Sequence, residues 1–164
     1  MKINLGISDE ARLEIGQMLN LLLADECVLH ASLKDYHWNV TGPNFYSLHL
    51  QFDTGAADVI GWIDEVAERA RSIGIGARGQ WAELTRASRC SAAPGVGLAA
   101  ESMLCELLSL HEEIAIQIRA DSEACTTRYK EAGTADFLTG LMERHEKAAW
   151  FLRAQLETEA AETA

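Results

Sequence analysis

The chain is predicted to be all-α: a four-helix bundle with a short extra helix in the long crossover between helices two and three. Three observations carry this prediction. Apolar residues recur at helical spacing along four long stretches, as they do when one stripe of each helix is buried. The 164 residues contain only 2 prolines beside 48% hydrophobic residues, a balance that suits compact helical packing. One connection, from Ile73 to Gly97, is far longer than the roughly 2–8 residues of a tight helical hairpin. A chain of this length is expected to form one domain over residues 1–164 and to bury about two-thirds of its unfolded surface. No internal repeat, β pattern, low-complexity tract or domain linker interrupts it.

Ser8, with Asp9 and Glu10 behind it, reads as an N-cap followed by acids in the first turn. Ile15, Leu19, Leu22, Leu29 and Leu33 then mark helix one, from about residue 9 to about residue 36. Thr41-Gly42-Pro43 is a turn, because the residue before a proline is driven away from helical backbone angles. Helix two follows from about Asn44 to Ser72 and stops at Gly74 and Gly76. The crossover holds a short helix around Gln80 to Ser88. Helix three runs from Pro94 or Gly97 to Ala124, with Leu98, Leu104, Leu107, Leu108, Ile114 and Ile118 as its core. Helix four starts near Thr134 and continues through Phe137, Leu138, Leu141, Ala148, Leu152 and Leu156.

Charge and composition exclude several functions. The formal net charge is −11, and neither end clusters bases. Lys2 stands alone before the first helix, and Leu156 to Ala164 offers Glu157, Glu159 and Glu162 with no cation. Tight association with nucleic-acid phosphates needs clustered Lys and Arg, so DNA binding is expected to be weak or absent; an acidic chain attracts cations instead. No run approaches the roughly 18 apolar residues of a membrane span, and no basic-then-apolar signal opens the sequence. Cys27, Cys90, Cys105 and Cys125 lack C-x-x-C spacing and are expected as reduced, mostly buried thiols of a cytoplasmic protein.

The chemistry lies on helix two. His49 and Asp53 are four residues apart, and so are Asp64 and Glu68. At about 100° per residue the four side chains fall within an arc of roughly 100° on one helix face. The two pairs are centred about 15 residues apart, or about 22 Å along the axis. Metal ligands must lie within about 2–2.5 Å of the ion, so one chain cannot close a single site with both pairs. Two copies of the helix crossing antiparallel about a two-fold axis can. His49 and Asp53 of one copy then face Asp64 and Glu68 of the other, and two equivalent sites result. Ala56, Ala57, Ile60 and Gly61 stand at the crossing point, where small side chains permit close approach. The competing reading is a solvated helix with scattered polar residues; the full constellation, with His37 added, argues against it.

Other candidates are weaker. Di-iron sites inside a bundle use Glu-x-x-His on two helices, and that motif is missing from this sequence. Glu26 and His30 are four apart, a spacing that could place two ligands within the bundle, but no second pair completes them. His30, His111 and His145 read as core or surface histidines. His111-Glu112-Glu113 opens like a zinc-protease helix, yet Ala115 stands where the second His belongs. Asn39-Val40-Thr41 fits a glycosylation acceptor that a cytoplasmic chain would not use. Trp38 either packs at the end of helix one or, beside an oxidising metal, quenches radicals.

The segment His37-Trp38-Asn39-Val40-Thr41-Gly42-Pro43-Asn44-Phe45, followed by His49, Asp53, Asp64 and Glu68-Arg69-Ala70, closely resembles the Dps family of mini-ferritins. Thr134-Ala135-Asp136-Phe137-Leu138 and His145-Glu146-Lys147-Ala148-Ala149-Trp150-Phe151-Leu152-Arg153 extend the match to nearly the whole chain. The resemblance implies a ferritin-like bundle assembled as a hollow homo-dodecamer built from two-fold dimers. It also implies ferroxidase sites with His37 and His49 from one subunit, Asp64 and Glu68 from its mate, and Asp53 as a ligand or its orienter. Family members oxidise Fe(II), preferably with hydrogen peroxide, and store ferric mineral, which suppresses radical damage. Mixed imidazole and carboxylate ligation suits iron, although Zn competes for the same ligands. Acidic residues near the junction of helices three and four, Asp121, Glu123, Glu131 and Asp136, are candidates for a pore. The alternative is a DNA-binding, nucleoid-protecting protein with little ferroxidase turnover. The family's Lys-rich tails, which carry DNA binding in members that have it, are missing here.

Overall fold

A computed structural model describes residues 3–157 as five helices: α1 Asp9–Asn39, α2 Phe45–Ser72, α3 Trp81–Ala87, α4 Ala100–Thr127 and α5 Ala132–Leu156. Lys2, Glu159 and Glu162, which entered the charge argument, lie outside the described residues. The predicted all-α bundle with its extra helix in the crossover is therefore the observed architecture. α1 pairs with α2 and α4 with α5, while α1 also touches α3 and α4. One apolar core runs between them. Ile15, Leu19, Leu22 and Leu29 of α1 meet Phe52 and Val59 of α2, Met103, Leu107 and Ile114 of α4, and Leu138 and Leu141 of α5.

The helix ends depart from the sequence reading by a few residues, each for a local reason. α1 continues to Asn39, and the Val40 amide still reaches the Tyr36 carbonyl at 2.8 Å. α4 starts at Ala100 rather than near Pro94 or Gly97, because Gly97 takes a left-handed φ of 85° that helical residues do not adopt. Leu98 is accordingly only partly buried. α5 starts at Ala132, two residues before Thr134. Glu131 rather than a hydroxyl residue caps it, accepting from the Gly133 and Thr134 amides at 3.0 and 2.6 Å. Ser8 caps α1 as the sequence predicts, its Oγ accepting from the Ala11 amide at 3.1 Å.

Two partly buried ion-pair networks hold the connections. Asp25 of α1 accepts from Ser88 Oγ, the Arg89 amide and Arg89 Nε at 2.9, 2.6 and 2.8 Å, pinning the crossover behind α3. Arg89 also reaches Asp121 of α4 at 3.3 Å. Arg69 of α2 donates to Glu131 and to Thr134 Oγ1, tying α2 to the start of α5. All four cysteines are free thiols; Cys27, Cys90 and Cys125 are buried and Cys105 is exposed. No helix among the described residues is long and apolar enough to cross a membrane.

Candidate metal centre

The α1–α2 turn builds the centre. Gly42 takes a φ of 107°, a conformation that costs a glycine little, and its carbonyl accepts the Phe45 amide at 3.0 Å. The chain reverses there, so the last turn of α1 lies against the first turns of α2. Tyr36, fully buried, anchors this end by donating its hydroxyl to the Ala93 carbonyl at 3.0 Å and setting an edge against Phe52. Asp35 holds the crossover to the same turn, accepting from the Gly95 amide at 2.6 Å.

His37 and His49 are thereby stacked, with ring centroids 3.8 Å apart and planes 23° off parallel. Each Nδ1 lies 2.8 Å from the other residue's backbone carbonyl. A carbonyl oxygen only accepts, so both Nδ1 atoms carry hydrogen. That leaves Nε2 as the ring atom able to ligate a metal, oriented by a partner on the other nitrogen. Asp53 stands one turn further along α2, with Oδ1 3.9 Å from His37 Nε2. The structure thus brings His37, His49 and Asp53 together.

Lys34, which sequence reasoning did not single out, enters the same cluster. Its Nζ lies 2.8 Å from Asp53 Oδ1. The Lys34 hydrogen bond and charge hold the Asp53 carboxyl below its ordinary value. Lys34 precedes His37 by three residues, so the spacing was visible; what was missing was knowledge that α1 and α2 would face one another at this register. Lys34 also lies over the Trp38 ring, 5.8 Å from its centroid, and Trp38 is exposed on the chain.

Asp64 and Glu68 lie exposed further along α2, apart from this cluster. Neither side chain makes a hydrogen bond or ion pair with another described residue. Among the described residues no group of three or more His, Cys, Asp or Glu side chains converges closely enough to hold a metal ion. Gly61, between the two residue pairs, has no described residue beyond its own helix turn within 4 Å of where a Cβ would stand, and Ile60 beside it is 52% exposed.

The remaining candidates resolve differently. Glu26 does not pair with His30: its Oε1 lies 2.8 Å from His145 Nε2, while His30 Nδ1 contacts the Ala56 carbonyl at 3.1 Å. Residues four apart on a helix share a face, but the rotamer here turns Glu26 into the core. His145 is a buried, hydrogen-bonded core histidine, and His111 is buried beside it. Of the four acids considered for a pore, Asp121 and Glu131 are engaged with Arg89 and with Arg69 and the α5 amides, whereas Glu123 and Asp136 are exposed.

A five-helix bundle of this order, with an imidazole–carboxylate cluster on its first helix pair, defines a ferritin-like protein, and the family model for the ferritin-like domain matches residues 16–161. DNA protection during starvation protein 2 of Bacillus anthracis is 32% identical over 87% of this chain and 97% of its own length. DpsC from Streptomyces coelicolor superposes with a TM-score of 0.90 at 33% identity, covering 96% of this chain and 92% of that one. The Dps protein of Vibrio cholerae, described as one of the ferritin-like diiron-carboxylate proteins, gives a TM-score of 0.89 at 25% identity over 96% and 98% of the two chains. The chain belongs to the Dps family.

Proposed function

We propose that this protein is a ferroxidase and iron-storing mini-ferritin. It takes Fe(II) as substrate at sites shared by two copies across a two-fold axis and oxidises it with hydrogen peroxide or oxygen. The ferric product is stored as mineral inside a hollow dodecamer in the cytoplasm. The observation that supports this most directly is the reciprocal His37–His49 pairing, which orients both rings through Nδ1 and sets His37 Nε2 3.9 Å from the Asp53 carboxylate. Two imidazoles and one carboxylate form half of a mixed nitrogen–oxygen site of the kind that suits iron. Asp64 and Glu68 supply the other half from a mate. Their separation from the histidines along α2, and the uncovered stripe of Ala57, Ile60 and Gly61, fit that arrangement.

In this reading the histidines bind and orient Fe(II), while the mate's carboxylates stabilise the more highly charged ferric product. Peroxide takes two electrons, one from each of two ferrous ions, so the O–O bond is cleaved without release of a hydroxyl radical. Zinc accepts the same ligands and is a competing inhibitor.

The test is anaerobic loading with Fe(II) followed by peroxide, read as ferric absorbance, for the wild type and the double variant His37→Ala/His49→Ala. Loss of rapid oxidation in the variant is expected; equal rates would sink the reading. A second reading is protection of DNA, the role that gives the Bacillus anthracis relative its name, here by direct binding. A formal charge of −11 opposes it.

A further inference from the structure

The crossover between α2 and α4 inverts the charge of the chain. Between residues 69 and 89 stand Arg69, Arg71, Arg78, Arg86 and Arg89 against one acid, Glu83, in a molecule of net charge −11. Arg69 and Arg89 are engaged by Glu131 and by Asp25 and Asp121. Arg71 and Arg78 pair with no carboxylate among the described residues. Arg71 Nη1 lies 3.4 Å from the Ile75 carbonyl, and the Arg78 amide donates to Asn20 Oδ1 at 2.8 Å.

The start of the crossover is strapped to α1. Asn20 Nδ2 donates to the Gly76 carbonyl at 3.0 Å and to the Gly16 carbonyl at 2.8 Å. Ile75 packs so tightly on Gly16 that a Cβ there would stand 2.5 Å from its side chain. Strap and helix together enclose a cleft of about 390 Å³. Leu13, Leu21, Ile75 and Ala87 make its apolar walls, and Arg78 is the one charged residue lining it. Leu13 is 58% exposed at this face. At about 100° per residue, Leu13, Gln17 and Asn20 fall on the side of α1 opposite Ile15, Leu19 and Leu22, so the cleft opens outward from the core.

We propose that this cleft binds an alkyl carboxylate, with the chain along Leu13, Leu21, Ile75 and Ala87 and the carboxylate at Arg78 and Arg71. The volume lies at the low end of small-molecule sites and suits a short chain. A guanidinium keeps its charge at any working pH, and its planar fork matches the two oxygens of a carboxylate. Both hydrogens of the Asn20 amide are already engaged, so recognition of the head group falls to the arginines. A neutral chain would fill the walls and leave Arg78 unpaired. A small anion would meet the charge and leave the walls empty.

Calorimetric titration of the assembled protein with octanoate, 1-octanol and acetate separates the head group from the chain. Octanoate should saturate at one per chain and bind about tenfold tighter than 1-octanol, from its charge-assisted hydrogen bonds. Acetate should show no saturable binding. Arg71→Gln/Arg78→Gln should reduce octanoate to the affinity of 1-octanol while 1-octanol still binds, which shows the cleft intact. Leu13→Glu, at an exposed helical position, places an acid in the wall and should abolish octanoate binding. Absent saturable octanoate binding, 1-octanol binding as tightly as octanoate in the wild type, an unchanged octanoate affinity in Arg71→Gln/Arg78→Gln, or octanoate binding that survives Leu13→Glu would each overturn the proposal.

Discussion

His37 and His49 share one device: each spends its Nδ1 hydrogen on the other's backbone and leaves Nε2 free. Because each ring is oriented by the other residue, the two act as a unit. Replacing His37 alone should lower the ferroxidation rate by about as much as replacing both, on the order of tenfold or more, measured in single-turnover peroxide reactions. Lys34 works in the opposite direction, since its ammonium occupies the Asp53 oxygen that a metal would use. Lys34→Met should tighten anaerobic Fe(II) binding on the order of tenfold. It should also return the Asp53 carboxyl towards its ordinary value, so that oxidation in the variant declines at a higher pH than in the wild type. His111 supplies a pH effect on stability. Its folded pKa of about 3 lies below the ordinary 6.5, so the unfolded chain binds the extra proton between those values. The stabilisation is complete above about pH 6.5 and is lost progressively as the pH falls towards 3. Thermal melts of His111→Leu should therefore decline less over that window than melts of the wild type.

At the scale of the elements, the helices were legible because their periodicity is local, and their ends were less so because capping is a matter of a few contacts. The start of α5 shows why. Thr134 looks like an N-cap by residue type, but its hydroxyl accepts from Arg69 across the bundle, and Glu131 caps the helix instead. Burial works to raise the Glu131 pKa, yet hydrogen bonds from Thr134 and Gly133 and the Arg69 charge overcome it, and its carboxyl sits below the usual range. Glu131→Ala should cost about 1–2 kcal/mol in denaturant unfolding through the lost cap alone. Asp25 is buried with three donors around it, so the crossover depends on that carboxylate far more than its loop composition indicated. The candidate centre divides the same way: His49, Asp53, Asp64 and Glu68 could be read from their i to i+4 spacing, whereas Lys34 could not, because its partner lies across a helix pair.

For the whole molecule, the proposed assembly gives a mass of about twelve times the 18.0 kDa chain in sedimentation experiments. Gly61 bears on it directly. A helix-interior glycine costs about 1 kcal/mol relative to alanine, and among the described residues nothing outside its own helix turn crowds that position. Gly61→Leu should leave the helical circular-dichroism signal intact while weakening the two-fold dimer and slowing ferroxidation. Gel shifts at about 0.1 M salt should show weak or no complexes with duplex DNA, given the acidic charge and the steep salt dependence of phosphate contacts. By itself the sequence determined the helices, the turn at Gly42-Pro43, the stripe of His49, Asp53, Asp64 and Glu68 on one helix face and the sign of the net charge, because each follows from spacing or composition along a continuous segment. Only the tertiary structure decided that His37 and His49 lock one another, that Lys34 claims Asp53, and that Glu26 joins His145 and His111 rather than His30. Those contacts join residues on different helices, and the packing of one helix against another sets which rotamers meet.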